Sequence, residues 1–72
     1  MNKNKLLSKM ALFGDTQIEL AGALEISKSR LSAKINQYNG ADFRQKEIKA
    51  IKNRYQLTSS EVDEIFFDFK VS

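Results

Sequence analysis

The chain has 72 residues, 42% hydrophobic and 29% charged, with a net charge of +3, no cysteine and no histidine. This is ordinary globular usage, which argues against disorder, and the length suits one domain burying only about 60% of its unfolded surface. Without Cys or His there is no disulfide, no Cys- or His-based zinc site, no Ser-His triad and no Cys nucleophile, so the chain reads as a non-enzyme without metal or cofactor.

Residues 1–13 are basic and then apolar, but Lys9 interrupts the run and no small-residue cleavage site follows, which argues against a signal peptide. With no transmembrane run either, the expectation is a soluble, cytoplasmic protein with no membrane partner. Leu6, Leu7, Met10, Ala11 and Phe13 fall at helical spacing, with Lys3, Lys5 and Lys9 outside the stripe. This first helix is expected to stop near Gly14, a residue that tolerates positive φ. Thr16-Gln17-Ile18-Glu19 then spells a capping box, in which the Thr hydroxyl and the Glu carboxylate each accept from the other's amide. A short second helix follows over about 16–24, with Ile18 and Ala21 inward and Leu20 and Leu24 beside them.

Only Glu25-Ile26-Ser27 separates this helix from the next. Ser27 is a good N-cap, which predicts a third helix from Lys28 to about Asn36, and the apolar Ile26 turns into the core. Two short helices about a tight turn make a helix-turn-helix. At about 100° per residue, Leu31 and Ile35 lie within about 40° of each other and face inward. Ser29, Ala33 and Asn36 then face outward, flanked by Arg30 and Ser32, with Lys28 at the exposed start. That face is small, polar and basic, and suits entry into a groove; Lys34 is counted with Lys28 and Arg30 as a DNA contact.

Gln37 to Asp42 is a polar loop turning at Asn39-Gly40, and Phe43 anchors it. A fourth helix places Ile48, Ile51 and Tyr55 inward and Arg44, Lys46, Lys49, Lys52 and Arg54 outward, with Asp42 and Gln45 as its capping box. Thr58 or Ser59 caps a fifth helix whose core stripe is Val62, Ile65, Phe66 and Phe69, with Phe67 off the stripe. The predicted fold is an all-α, five-helix bundle in one domain, 1–72. Charge divides along it: residues 1–55 carry a balance of +6 and residues 56–72 one of −3. A basic body suggests a polyanion partner, whereas Glu61, Asp63, Glu64 and Asp68 about Phe67 and Val71 suggest a basic protein surface.

Thr16-Gln17-x-x-Leu20-Ala21-x-x-Leu24-x-Ile26-Ser27-x-x-x-Leu31-Ser32-x-Lys34-Ile35-Asn36 resembles the helix-turn-helix of lambdoid phage repressors and Cro proteins. Phe43-Arg44-Gln45-Lys46-Glu47-Ile48 and Leu57-Thr58-Ser59-Ser60-Glu61-Val62-Asp63-Glu64-Ile65-Phe66-Phe67 look like the small switch proteins of temperate phages of Gram-positive bacteria. The likeness covers about residues 4–69, at a length similar to Cro-like or modulator-of-repression proteins. It departs at Glu25, where the family often has glycine; a left-handed Glu there costs about 1 kcal/mol.

The resemblance implies a lambda-repressor-like fold in which Gln17 contacts a phosphate, Lys28, Ser29 and Ala33 read bases, Ser27, Arg30 and Ser32 flank them, and Asn36 meets a phosphate. It implies a sequence-specific repressor of the lysis–lysogeny switch, dimeric on a double-stranded operator in the bacterial cytoplasm. The alternative is an anti-repressor or co-repressor that binds the lysogenic repressor protein, with Glu61, Asp63, Glu64, Phe67 and Asp68 as its partner surface.

Overall fold

Side-chain caps set most helix starts. In the computed structural model, which describes residues 1–67, Asn2 caps α1 (Lys3–Leu12), its Oδ1 accepting from the Lys5 amide at 3.2 Å. The Thr16 capping box forms as the spacing predicts and opens α2 (Gln17–Leu24): Glu19 N–H donates to Thr16 Oγ1 at 3.2 Å and Thr16 N–H to Glu19 Oε1 at 3.1 Å. Ser27 caps α3 (Lys28–Asn36) by accepting from the Arg30 amide at 3.1 Å. Thr58, rather than Ser59, caps α5 (Ser59–Val62), with Glu61 returning to the Thr58 amide at 2.9 Å.

The start of α4 (Gln45–Arg54) corrects the expected Asp42–Gln45 box. Asp42 Oδ1 instead accepts from its neighbour Phe43 N–H at 2.8 Å, and the Glu47 carboxylate accepts from Arg44 N–H at 2.9 Å. The reciprocal acceptor is therefore the Glu47 carboxylate, two residues after the expected Gln45 amide, at the third helical position, where it reaches the last non-helical amide.

Helix ends follow backbone conformation. Gly14, at φ +64°, turns the chain after α1, whereas α2, α3 and α4 end on left-handed Glu25, Gln37 and Gln56 (φ 58°, 52° and 51°). Glu25 thus adopts the conformation expected of it. After Gln37 the loop is a 3-10 turn (Tyr38–Gly40) containing Asn39 at φ 53° and Gly40 at φ 76°.

The five largest fully buried side chains, Leu6, Leu20, Leu31, Ile51 and Ile65, come one from each helix or from the turn that continues α5. Tyr55 and Phe43 join that cluster, and Ile26 packs against it, as expected. Three side chains do not go where expected, and the first is Ala11 of the α1 stripe, which is exposed because α1 buries only the Leu6–Met10 side. Ile18 is 66% exposed, because the inward face of α2 is set by Leu20, roughly 200° round the helix from it. Phe13 is 47% exposed and lays its ring against Tyr55, centroids 5.4 Å apart.

The expected fifth helix also changes form. Only Ser59–Val62 is α-helical, and Asp63–Phe67 widens into a π-helical turn, with Asn2 N–H donating to the Ile65 carbonyl at 2.7 Å. Val62, Ile65 and Phe66 are buried as their stripe predicts; Asp68, Phe69 and Val71 lie outside the described residues. Among the described residues the chain is an all-α five-helix bundle without strands, and no helix is long and apolar enough to cross a membrane.

Candidate nucleic-acid interface

The turn Glu25–Ser27 holds α3 against α2, and Leu31 and Ile35, 0% and 3% exposed, fix its rotation. The opposite side is thereby turned outward. Lys28, Ser29, Ser32, Ala33 and Asn36 line one open depression together with Tyr38, an aromatic from the following 3-10 turn that is 67% exposed. Thr16, Gln17 and Ile18 at the start of α2 share a second depression with Lys28. Helix starts carry free amides and a partial positive charge, so the two adjoining ends favour an anion. Lys28 and Arg30 are exposed, and neither side chain meets a partner among the described residues. Ser27 is different: its hydroxyl is spent on the cap.

Two residues of α3 have side chains engaged by the rest of the chain, Lys34 in a part-buried pair and Asn36 at the surface. Lys34 Nζ donates to both Glu47 oxygens at 2.6 and 2.8 Å, and the two side chains are only 13% and 10% exposed. Lys34 is therefore a strut between α3 and α4, which corrects its reading as a solvent-facing DNA contact. Asn36 donates from Nδ2 to the Ser32 carbonyl at 2.9 Å, and its Oδ1 accepts from Lys3 Nζ at 3.0 Å. The cation at this end of α3 is thus Lys3, brought there by α1 from 33 residues away.

Glu47 and Lys3 were missed in the sequence. Glu47 did leave a trace: it lies about 40° from the buried Ile51 on the α4 wheel, on the inward side. Lys3 left none, since its position depends on how α1 packs. Tyr38 is likewise a product of the loop, whose left-handed residues no glycine at 37 or 39 announces.

The acidic end is divided by its surroundings. Glu61 and Glu64 pair with Lys9 and Lys5 of α1, and only Asp63 remains as an exposed carboxylate without an ion pair among the described residues. Phe67, 41% exposed, lies instead beside α4. Asp68 falls outside the described residues.

Asp15, Glu47 and Glu61 are held below their ordinary range. Hydrogen bonds from Arg54 lower Asp15 against an opposing burial effect, with the Tyr55 hydroxyl donating to the same carboxylate. Burial pushes Glu47 up, but the Arg44 amide and Lys34 outweigh it and the net shift is downward. The Lys9 ammonium, with the Thr58 amide, brings Glu61 from 4.5 to about 2. A depressed folded pKa contributes stability above the unfolded value and loses it as pH falls through the folded one. The urea midpoint is therefore expected to drop continuously from about pH 4.5 to about pH 2, and Glu61→Gln to flatten part of that drop. A midpoint level across that window would contradict these pairings.

No family model, curated protein or solved structure matches the chain. Among the described residues no group of acidic side chains is arranged to hold a metal ion.

Proposed function

We propose that the chain is a DNA-binding transcriptional regulator of the helix-turn-helix type, a Cro-type repressor in a phage lysis–lysogeny switch. One observation carries this reading: the outer face of α3, where exposed Lys28 and Ser29 and half-buried Ser32 and Ala33 line one depression beside the start of α2. In such a module the second helix enters the major groove by its N-terminal residues while the first helix meets the backbone. Lys28 and Arg30 supply cations, Gln17 and the free amides of α2 bind a phosphate, Ser29 reads base edges, and Ala33 touches a thymine methyl. One module reads few base pairs, so tight binding requires a dimer on half-sites about one helical turn apart.

Gel-shift titration against duplexes selected from a random library tests this. Lys28→Ala with Arg30→Ala is expected to weaken binding to every selected duplex and to flatten the salt dependence by about 0.9 for each phosphate left without its cation. Unchanged affinity and slope in that double variant remove α3 as the reading element.

A second reading is favoured by the commitment of Lys34 to Glu47, which leaves α3 with fewer cations for DNA beside its weak base readers Ser29 and Ala33. It is that of an anti-repressor or co-repressor acting by direct binding to the lysogenic repressor. The same titration repeated with the cognate repressor separates the two: retention of DNA only when both proteins are present, or release of the repressor from its operator, selects this reading.

A further inference from the structure

The π-helical turn changes what Phe67 faces. Along a continuous α-helix Phe67 would lie roughly 140° round from Val62, on a different side. Residues five apart in a π turn come nearly into line. Val62 and Phe67 accordingly line one depression with Ile48 of α4, where the first and last are 9% and 8% exposed and Phe67 is 41% exposed. Lys46, Lys49 and Lys52 of α4 line the same depression. Lys46 and Lys49 are exposed and meet no partner among the described residues; Lys52 has one long contact, 3.5 Å to Ser59 Oγ. Of the described acids beside this rim in sequence, Glu47 is committed to Lys34, Glu61 to Lys9 and Glu64 to Lys5, which leaves Asp63 as the one carboxylate there without an ion pair.

We propose that this depression between α4 and the π turn docks a partner protein through an acidic amphipathic segment. Its apolar side chains lie on Ile48, Val62 and Phe67, and its carboxylates meet Lys46, Lys49 and Lys52. An apolar, aromatic-bearing centre with a charged rim is the anatomy of a protein interface, and the sign of the rim selects the partner. A nucleic acid backbone satisfies the lysines but leaves the aromatic and the aliphatic floor uncovered, whereas an amphipathic helix covers both. Among the described residues the charged side chains that line the depression are all lysines, although residues 56–72 are acidic in composition. The depression shares no lining residue with the α3 face, so this proposal stands apart from DNA reading.

The test uses the full chain and a fluorescein-labelled helical peptide with leucines along one face and glutamates flanking them. Saturable binding by anisotropy is expected, with amide shifts at Lys46, Lys49, Val62 and Phe67. Lys46→Glu with Lys49→Glu, both on the solvent side of α4, should weaken it by about tenfold or more while selected duplexes still bind. Replacing the peptide's glutamates by glutamines should also abolish it. No saturable binding, equal binding of the glutamine peptide, or shifts confined to α3 each overturn the proposal. So does loss of duplex binding in the charge-reversed variant, which marks a nucleic-acid surface. Peptide-independent self-association abolished by the same variant also overturns it, and marks instead an interface between copies of this chain.

Discussion

Leu31→Ala is expected to cost about 2–5 kcal/mol, out of a total stability on the order of 4–11 kcal/mol for a chain this long. The side chain is 0% exposed and belongs to the cluster in which every helix contributes a buried anchor. Removing three of its carbons forfeits their transfer energy and leaves a cavity that a rigid five-helix core closes only in part. The same anchor sets the rotation of α3, so the loss falls on the element that presents Lys28, Ser29 and Ala33. Urea denaturation reads the result directly. Ser29→Ala, on the outer face of the same helix, should change stability by no more than about 0.5 kcal/mol. If Leu31→Ala left the midpoint unchanged, α3 would be turned the other way and the proposed reading face would be buried.

The features of local chemistry were legible in the sequence. Thr16 with Glu19, Ser27 and Thr58 each announce a helix start through an oxygen that satisfies an amide within three residues, and all three caps form. The rotation of α3 was legible for the same reason, since Leu31 and Ile35 are its only large apolar residues. Three kinds of feature were not. Ile18 looked like core because it is apolar and three residues from Ala21, but a helix of eight residues has only one buried side, and Leu20 takes it. The ends of α3 and α4 carry no glycine, because Gln37 and Gln56 accept the left-handed conformation that the sequence rule assigns to one. The charge of a segment is a sum, and it does not say where each carboxylate points. Glu61 and Glu64 are drawn to α1, and Phe67 is carried to the lysines of α4 by a turn of π-helix that no local signal predicts.

Lys34 and Glu47 provide the second large effect. Lys34→Met is expected to destabilise the chain by about 3–5 kcal/mol, because it takes the paired ammonium from a nearly buried carboxylate and leaves the Arg44 amide as its hydrogen-bond donor among the described residues. Glu47→Gln should cost less. The amide can still accept from Arg44 N–H, and the Lys34 stem is long enough to carry its ammonium to water. Joining Lys34→Met to Glu47→Leu should recover much of the loss and leave about 1 kcal/mol for the missing carboxylate at the start of α4. The recovery measures the pair, since neighbours that share one interaction do not add. Duplex binding separates this strut from a DNA contact. At a temperature where Lys34→Met is folded, its salt slope should equal that of the unaltered chain, while Lys28→Ala lowers the slope by about 0.9. A Lys34→Met chain of full stability with a flattened slope would make Lys34 a phosphate ligand, with its ion pair broken on the duplex. Full loss of stability with an unaltered slope means that α3 reads DNA through Lys28 and Arg30, while Lys34 works from behind, holding the helix at the angle from which they reach the groove.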